Sequence, residues 1–401
     1  MSQTLSNLPI GARIKFGKHK VNKETAWDIV WKVVAKNHQC EPGYPNNSVT
    51  LFAEKAIDAR IFDAEEPRTS DGSGRDKYGN SRYLYSNIRQ WLNSDAAGNK
   101  WYTAQHPNDA PPDSSTGAGE MYYAARPGFL SNFSNDEKSA ILNTTNATQI
   151  PLSDVTNEIY LENITDKVFL PSAFEIGLAN SYEGATWEYF AGTNNSIMAT
   201  LTDQAYANIV DRTWIPETVS KYVSYFTRTY YPTSQYLKDT YVLMGVSNGW
   251  GDLKEECIAN SNCGIRPAIN LSASLLISDT TDGDGCYTVS PGTAPTAPEF
   301  LNVPSTVYGG LSASISWGES EDAEGNLSGY ILERSYDGGA FIEIFRGNQR
   351  TYTDSITYGI TTVQYRVCAY DTSMRTSPYT TSAVREISNN QPPTISGTDS
   401  D

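Results

Sequence analysis

With three histidines and five cysteines in 401 residues, the chain has little of the side chains that most metal and nucleophile chemistry needs. His19, His38 and His106 show no i, i+3 or i, i+4 spacing, so a zinc site or a Ser-His-Asp triad would have to gather them from separate segments. They read as exposed or structurally bonded histidines, and no catalytic residue is expected. The cysteines, Cys40, Cys257, Cys263, Cys286 and Cys368, form no CxxC pair, and their odd number leaves at least one without a partner inside the chain. Cys257 and Cys263 bracket "IANSN", a loop that a disulfide would close; two reduced thiols are the competing reading. No stretch approaches about 18 uninterrupted apolar residues, and the N-terminus lacks the apolar core of a signal peptide. A protein made and kept in solution is expected, with export by another route such as cell lysis. Basic residues are scarce as well. The 30 Lys and Arg against 46 Asp and Glu give a formal net charge of -16, and no basic cluster offers the counterion release on which nucleic-acid binding depends. A neutral ligand such as a glycan, or a partner with basic patches, suits this charge better.

The composition changes near residue 290. Before it lies a Tyr-, Asn- and Trp-rich segment; after it, "SPGTAPTAPEFLNVP" is a stiff, extended Pro/Gly/Ala/Thr linker. Beyond the linker, "ASISWGES" alternates, "SGYILERSYDGGAFIEIFRG" predicts two strands around an Asp-Gly-Gly turn, and "TTVQYRVCAYD" places Val363, Tyr365, Val367 and Ala369 on one face. These features predict a small β-sandwich. Trp317, Tyr330, Leu332 and "YRVCAYD" give it a resemblance to fibronectin type III domains, which implies a buried role for Trp317 and Tyr365 and a spacer or weak adhesion module. No Arg-Gly-Asp loop is present, so integrin binding is not implied. "SNNQPPTISGTDSD" then reads as a further junction or the start of another domain.

In the N-terminal segment, "AWDIVWKVVAKNH" and "NSVTLFAEKAID" predict a strand hairpin. "YSNIRQWLNS" predicts a helix capped by Ser86 with Ile88, Trp91 and Leu92 inward, and "SNDEKSAILNTT" a helix capped by Ser134. "DKVFLPSAFEIGLAN" predicts a strand to Leu170, then a short helix opened by Pro171. In order, "VWKVVAKN", "NIRQWLNS", "FSNDEKSAIL", "DKVFLPSAFEIG", "YFTRTYY" and "GIRPAINLS" resemble a domain of unassigned function common in Gram-positive bacteria and their tailed phages, over residues 8–275. Phe226 and Thr227 depart from that family's usual Trp-Leu before Arg228. A weaker similarity runs to C-type-lectin-like and formylglycine-generating-enzyme-like folds, which implies a small sheet carrying long binding loops. The resemblance implies that Arg228, Arg266 and Trp91 are structural, Arg266 being a clasp on a closing strand with Pro267 at an edge or bulge.

Acidic pairs abound: Glu65 with Glu66, Asp252 with Glu255 and Glu256, and Asp279, Asp282 and Asp284 in "SDTTDGDG". Glycan cleavage needs two carboxylates facing each other across a cleft, which spacing alone does not show. "DTTDGDG" partly resembles a calcium loop without the distal bidentate Glu, so an exposed turn is the first reading and Ca²⁺ near Asp279, Asp282 and Asp284 the second; no other cofactor or metal is expected. The copper enzymes of the related fold need a cysteine pair, but Cys257 and Cys263 stand in a polar loop without the rest of that site. Between Trp214 and Trp250, tyrosines interleave with Ser, Thr and Asn, a chemistry suited to recognition surfaces. Tyr222, Tyr225 and Phe226 are expected in the core; Tyr230, Tyr231, Tyr236, Asn248 and Trp250, beside Pro and Gly, are expected in ligand-binding loops.

The expected fold class is therefore an α+β C-type-lectin-like domain over 1–288, a linker over 289–297, an all-β fibronectin type III (Ig-like) sandwich over 298–388, and a linker or further domain over 389–401. The expected role is that of a non-enzymatic phage virion surface protein, a fibre, receptor-binding or decoration protein that recognises a host-surface glycan or protein. Its expected partners are other virion proteins and further copies of itself, with no nucleic acid and no membrane insertion. A purely structural cement protein and a glycan-cleaving enzyme are the alternatives.

Overall fold

A computed structural model describes residues 3–20, 26–38, 43–70, 72–116, 122–156, 160–178, 183–191, 197–209, 222–230, 241–245, 255–289, 294–322, 325, 327–372 and 375–389, with backbone only at 222, 241–245, 255 and 256. Contacts divide the chain into two units, Met1–Ser290 and Pro291–Asp401. Both are mostly β-sheet. Where α+β was expected for the first unit, its longest helices among the described residues are six residues, Asn87–Leu92 and Asn135–Ala140.

The predicted hairpin forms: Trp27–Lys36 runs antiparallel to Ser48–Ala53. It is the centre of a seven-stranded sheet ordered Tyr287–Thr288, Arg13–His19, Trp27–Lys36, Ser48–Ala53, Ala268–Ser272, with Ile141–Leu142 and Val168–Phe169 both along the last of these. Ser48–Ala53 is buried at every position because the sheet is covered on both faces. Val49, Leu51 and Ala53 join one core cluster with Trp31 and Trp91, whereas Phe52 joins a second with Phe169, Trp187 and Tyr225. Such continuous burial replaces the alternation of a half-exposed strand.

A second, five-stranded sheet is ordered Glu255–Ile258, Tyr241–Gly245, Tyr225–Tyr230, Cys263–Ile265, Asp58–Arg60. "GIRPAINLS" passes from this sheet into the first, since Cys263–Ile265 pairs with Asp58–Arg60 and Ala268–Ser272 with Ser48–Ala53. Arg266 and Pro267 stand at the crossing. Proline has no N–H to place in a ladder, while its carbonyl accepts from Ala53 N at 2.9 Å.

Ser86 caps its helix by accepting from Arg89 N, and Ser134 and Glu137 form a complete capping box. The helix expected after Pro171 is absent. Residues 171–178 form turns instead: Gly177 N bonds Phe174 O and Leu178 N bonds Ala173 O around Gly177 at φ +79°, a left-handed stop that ends the turn before a helix propagates.

The second unit is a sandwich. One sheet comprises Leu301–Asn302, Ser312–Trp317 and Thr351–Ser355; the other comprises Val307–Tyr308, Arg385–Ser388, Thr362–Asp371, Leu327–Tyr336 and Ile342–Gly347, with Thr380–Thr381 beside Thr362–Asp371. Ile315 and Trp317 from one face and Tyr330, Leu332, Val363, Tyr365 and Val367 from the other fill the core. The Asp-Gly turn is left-handed at Asp337 and Gly338, as a two-residue hairpin connection requires.

Candidate functional site

A cleft of about 160 Å³ opens in the first unit where the start of Trp27–Lys36, the turn after Ser48–Ala53 and the start of the helix Asp203–Ala207 meet. At about 30 Å³ per water, it holds roughly five waters, or one sugar-sized ring. Trp27, Arg13, Glu54, Lys55, Asp203 and Gln204 are among its walls. The Trp27 indole is seated edge-on against His19, with centroids 5.3 Å apart. His19 is itself buried and 3.3 Å from Asp58 Oδ2, so the indole rests on a fixed support. Arg13 grips Glu54 through two bonds of 2.8 Å, Nε to Oε1 and Nη2 to Oε2, and donates its remaining Nη1 to the Asp284 carbonyl. The wall opposite is fixed by backbone: Ala56 N bonds Thr200 O, Thr202 N bonds Ala56 O, and Thr202 caps the helix through Ala205 N. An indole, an ammonium, an amide and carboxylates thus line one cleft.

A second locus is a cluster of acids. Asp63 and Glu66 follow the strand Asp58–Arg60, and Tyr102, His106 and Asp109 come from the loop before Pro111. Asp63 Oδ1 accepts from Asn87 N and Oδ2 from Asn80 N, so backbone donors occupy both oxygens. Burial, then the Asp109 and Glu66 carboxylates, push the Asp63 carboxyl well above its usual range. Burial raises Asp109 too. For His106 burial works downward, but the Glu66 carboxylate 3.2 Å from Nε2 outweighs it, and the imidazole is raised. Burial first, then the Asp109 carboxylate, push the Tyr102 hydroxyl up. Within the cluster His106 and Asp109 are half-buried. The cluster does not line the cleft.

The expected site residues fall as follows. Tyr230 is not in a loop: it ends the strand Tyr225–Tyr230 and is 4% exposed, because that strand is buried throughout between its neighbours. Tyr231, Tyr236, Asn248 and Trp250 lie outside the described residues. Tyr225 and Phe226 are in the core; the side chain of Tyr222 is outside the described residues. Arg228, 1% exposed, makes a bidentate pair with Glu175 (2.7 and 2.9 Å) and donates to Leu170 O. Around it, Tyr44 Oη and Ser172 N also donate to Glu175, and Thr229 Oγ1 to Glu183. Arg266, at 3% exposure, donates to the carbonyls of Ala53 and Ile197 and to Tyr225 Oη, with its guanidinium 4.0 Å over Phe52. Trp91 donates to Pro127 O from the first core. In the second unit Trp317 is buried, and Tyr365 Oη donates to Asp354 on the opposite sheet at 2.7 Å, where Arg334 also bonds.

The candidate calcium carboxylates Asp282 and Asp284 close on the ammonium of Lys15 at 2.7 and 2.5 Å. Among the described residues no group of three or more His, Cys, Asp or Glu is arranged to hold a metal ion. Cys257 and Cys263 are thiols with sulfurs 3.8 Å apart. Of the acidic pairs, Glu66 enters the cluster while Glu65 accepts from Asn260; Asp252 and the side chains of Glu255 and Glu256 lie outside the described residues. Sequence reasoning missed Trp27, Gln204, Asp63 and Asp109 as site residues. No spacing links them, and the only signal in reach was a tryptophan opening a strand whose other large residues face the core.

A family model described as a domain of unknown function (DUF6273) matches residues 47–273. No curated protein matches the chain. Similar solved structures include the twitchin kinase region of C. elegans, 18% identical over 23% of this chain and 16% of that one, TM-score 0.21. The chain thus spans about a sixth of that structure. A human fourth FNIII domain is 18% identical over 26% of this chain and 88% of its own, TM-score 0.22. An Fn3-like protein from Clostridium thermocellum is 19% identical over 25% and 100%, TM-score 0.18. Fibronectin type III domains are therefore among the similar structures, over a small part of the chain.

Proposed function

Because the chain belongs to the DUF6273 family, whose description assigns no activity, we propose its role from its own chemistry: a phage virion surface protein whose first unit recognises a host-surface glycan. On this reading the first unit is C-type-lectin-like and the second a fibronectin type III spacer. The observation that carries it is the Trp27 cleft. A sugar ring offers an apolar face and a rim of hydroxyls, and the cleft offers an indole beside Glu54, Lys55 and Gln204, the mixture of apolar wall and few polar groups that ligand sites use. The net charge of -16 favours a neutral or basic ligand over nucleic acid. Tyr231, Tyr236, Asn248 and Trp250 would extend the contact surface. Other virion proteins, and further copies of this chain, are the proposed neighbours on the particle.

The test is binding of the full chain to intact Gram-positive cells and to an array of bacterial surface glycans, beside W27A and Q204A variants. Binding that falls about tenfold or more in W27A supports the reading, as truncation of a central aromatic anchor does. Binding that W27A leaves unchanged removes the cleft from it, and no binding to cells or glycans moves the role to particle cementing. The acid cluster does not supply a cleaving pair to the cleft, since Asp63, Glu66 and Asp109 stand outside it and Asp63 has both oxygens occupied by backbone donors.

A further inference from the structure

We propose that Cys257 and Cys263 are a modification site: they close to a disulfide when the protein meets a low-molecular-weight disulfide oxidant such as oxidised glutathione. The sulfurs are 3.8 Å apart, against about 2.05 Å in a disulfide, so the bond forms once they close by about 1.8 Å. The backbone between them is already held. Ala259 O accepts from Phe62 N and Asp63 N, Asn260 N bonds Tyr78 O, and Ser261 N bonds Ile258 O. The Asn260 amide adds bonds to Glu65 Oε1 and to Lys77 O. The turn that presents the two thiols to each other therefore stays in place while the bond forms.

Burial orders the steps. Cys257 is half-buried and Cys263 buried, so the Cys257 thiolate reaches the oxidant first. Its sulfur attacks the oxidant disulfide, forming a mixed disulfide and releasing one thiol. The Cys263 thiolate then attacks the Cys257 sulfur, releasing the second thiol. The two cysteines lose two protons and two electrons, and the oxidant is reduced to two thiols. The bond closes a ring from Cys257 to Cys263 next to the segment that carries Asp63 and Glu65. Of the other cysteines, Cys286 has its sulfur on the Asp284 carbonyl and Cys368 belongs to the second unit.

The experiment treats the purified full chain with oxidised glutathione, alkylates the remaining thiols, and maps peptides by mass. A Cys257–Cys263 linked peptide, lighter by two hydrogens, is expected, together with a rise of roughly 3–8 °C in the first-unit melting temperature that dithiothreitol reverses. In C263S, Cys257 is expected to stop at the glutathione adduct. Alkylation of both cysteines after oxidation, a glutathione adduct on Cys257 of the native chain that never closes, or a bond from either to Cys40, Cys286 or Cys368 overturns the proposal. Each overturning outcome is read on the unsubstituted protein, so a variant that fails to fold does not obscure it.

Discussion

Replacing Arg228 with methionine strands the Glu175 carboxylate at the centre of the first unit. The carboxylate is fully buried and loses two bonds of 2.7 and 2.9 Å; Leu170 O loses its donor as well. Removing one partner of a buried ion pair costs about 3–5 kcal/mol, because the remaining charge has no water. Here Tyr44 Oη and Ser172 N still donate to Glu175, which places the cost toward the lower end, about 3–4 kcal/mol. At about 2–4 °C per kcal/mol for a domain of this class, the melting transition falls by roughly 6–16 °C. E175Q costs less, about 2–3 kcal/mol, because the amide oxygen still accepts and Glu183 still faces the guanidinium. The double variant R228M/E175Q leaves no uncompensated charge, so its loss is smaller than the sum of the two by about 1–3 kcal/mol. Calorimetry of the full chain reads all three, with the second-unit transition as an internal reference. A loss below about 1 kcal/mol for R228M, or strict additivity in the double variant, refutes the reasoning.

The acid cluster makes first-unit stability depend on pH with a definite sign. The raised His106 imidazole stabilises in full below about 6.5 and less as pH rises through its folded value, so wild type should exceed H106N most near pH 5–6 and converge with it near pH 9, by urea midpoints. The raised Asp63 and Asp109 carboxyls likewise stabilise in full below about 3.8 and less above, so D109N, which removes a charge facing Asp63, should gain on wild type as pH rises from about 4. Y365F removes the bond that Asp354 accepts across the sandwich and should lower second-unit stability by about 1.5–3 kcal/mol, leaving the first transition unmoved. G17A should destabilise the first unit by roughly 2–4 kcal/mol, since Gly17 has φ +68° and a Cβ would lie 2.0 Å from the Phe133 ring.

What was legible in the sequence was local. Alternation in "TTVQYRVCAYD" set the buried face Val363, Tyr365, Val367 and Ala369, and Ser86 and Ser134 announced their helices because capping depends on a few neighbouring residues. Where burial is two-sided, the signal weakens: Ser48–Ala53 carries serine and threonine among apolar residues, yet every position is buried. The missing helix at 171–178 is stopped by the left-handed Gly177, and the buried Tyr230 follows from commitments to partners far along the chain, strand Tyr225–Tyr230 to two neighbouring strands. The cleft was invisible for the same reason. Trp27, Glu54 and Gln204 come together only when three separate segments meet, and no spacing in the chain records that meeting.

The central claim is that the Trp27 cleft holds a sugar. Titration of the full chain with an array-selected oligosaccharide, followed by isothermal calorimetry for wild type, W27A and the core variant Y365F, tests it most directly. The account predicts saturable binding that Y365F keeps and W27A loses by about tenfold or more. Equal affinity in W27A and wild type, with both folded by circular dichroism, would contradict it.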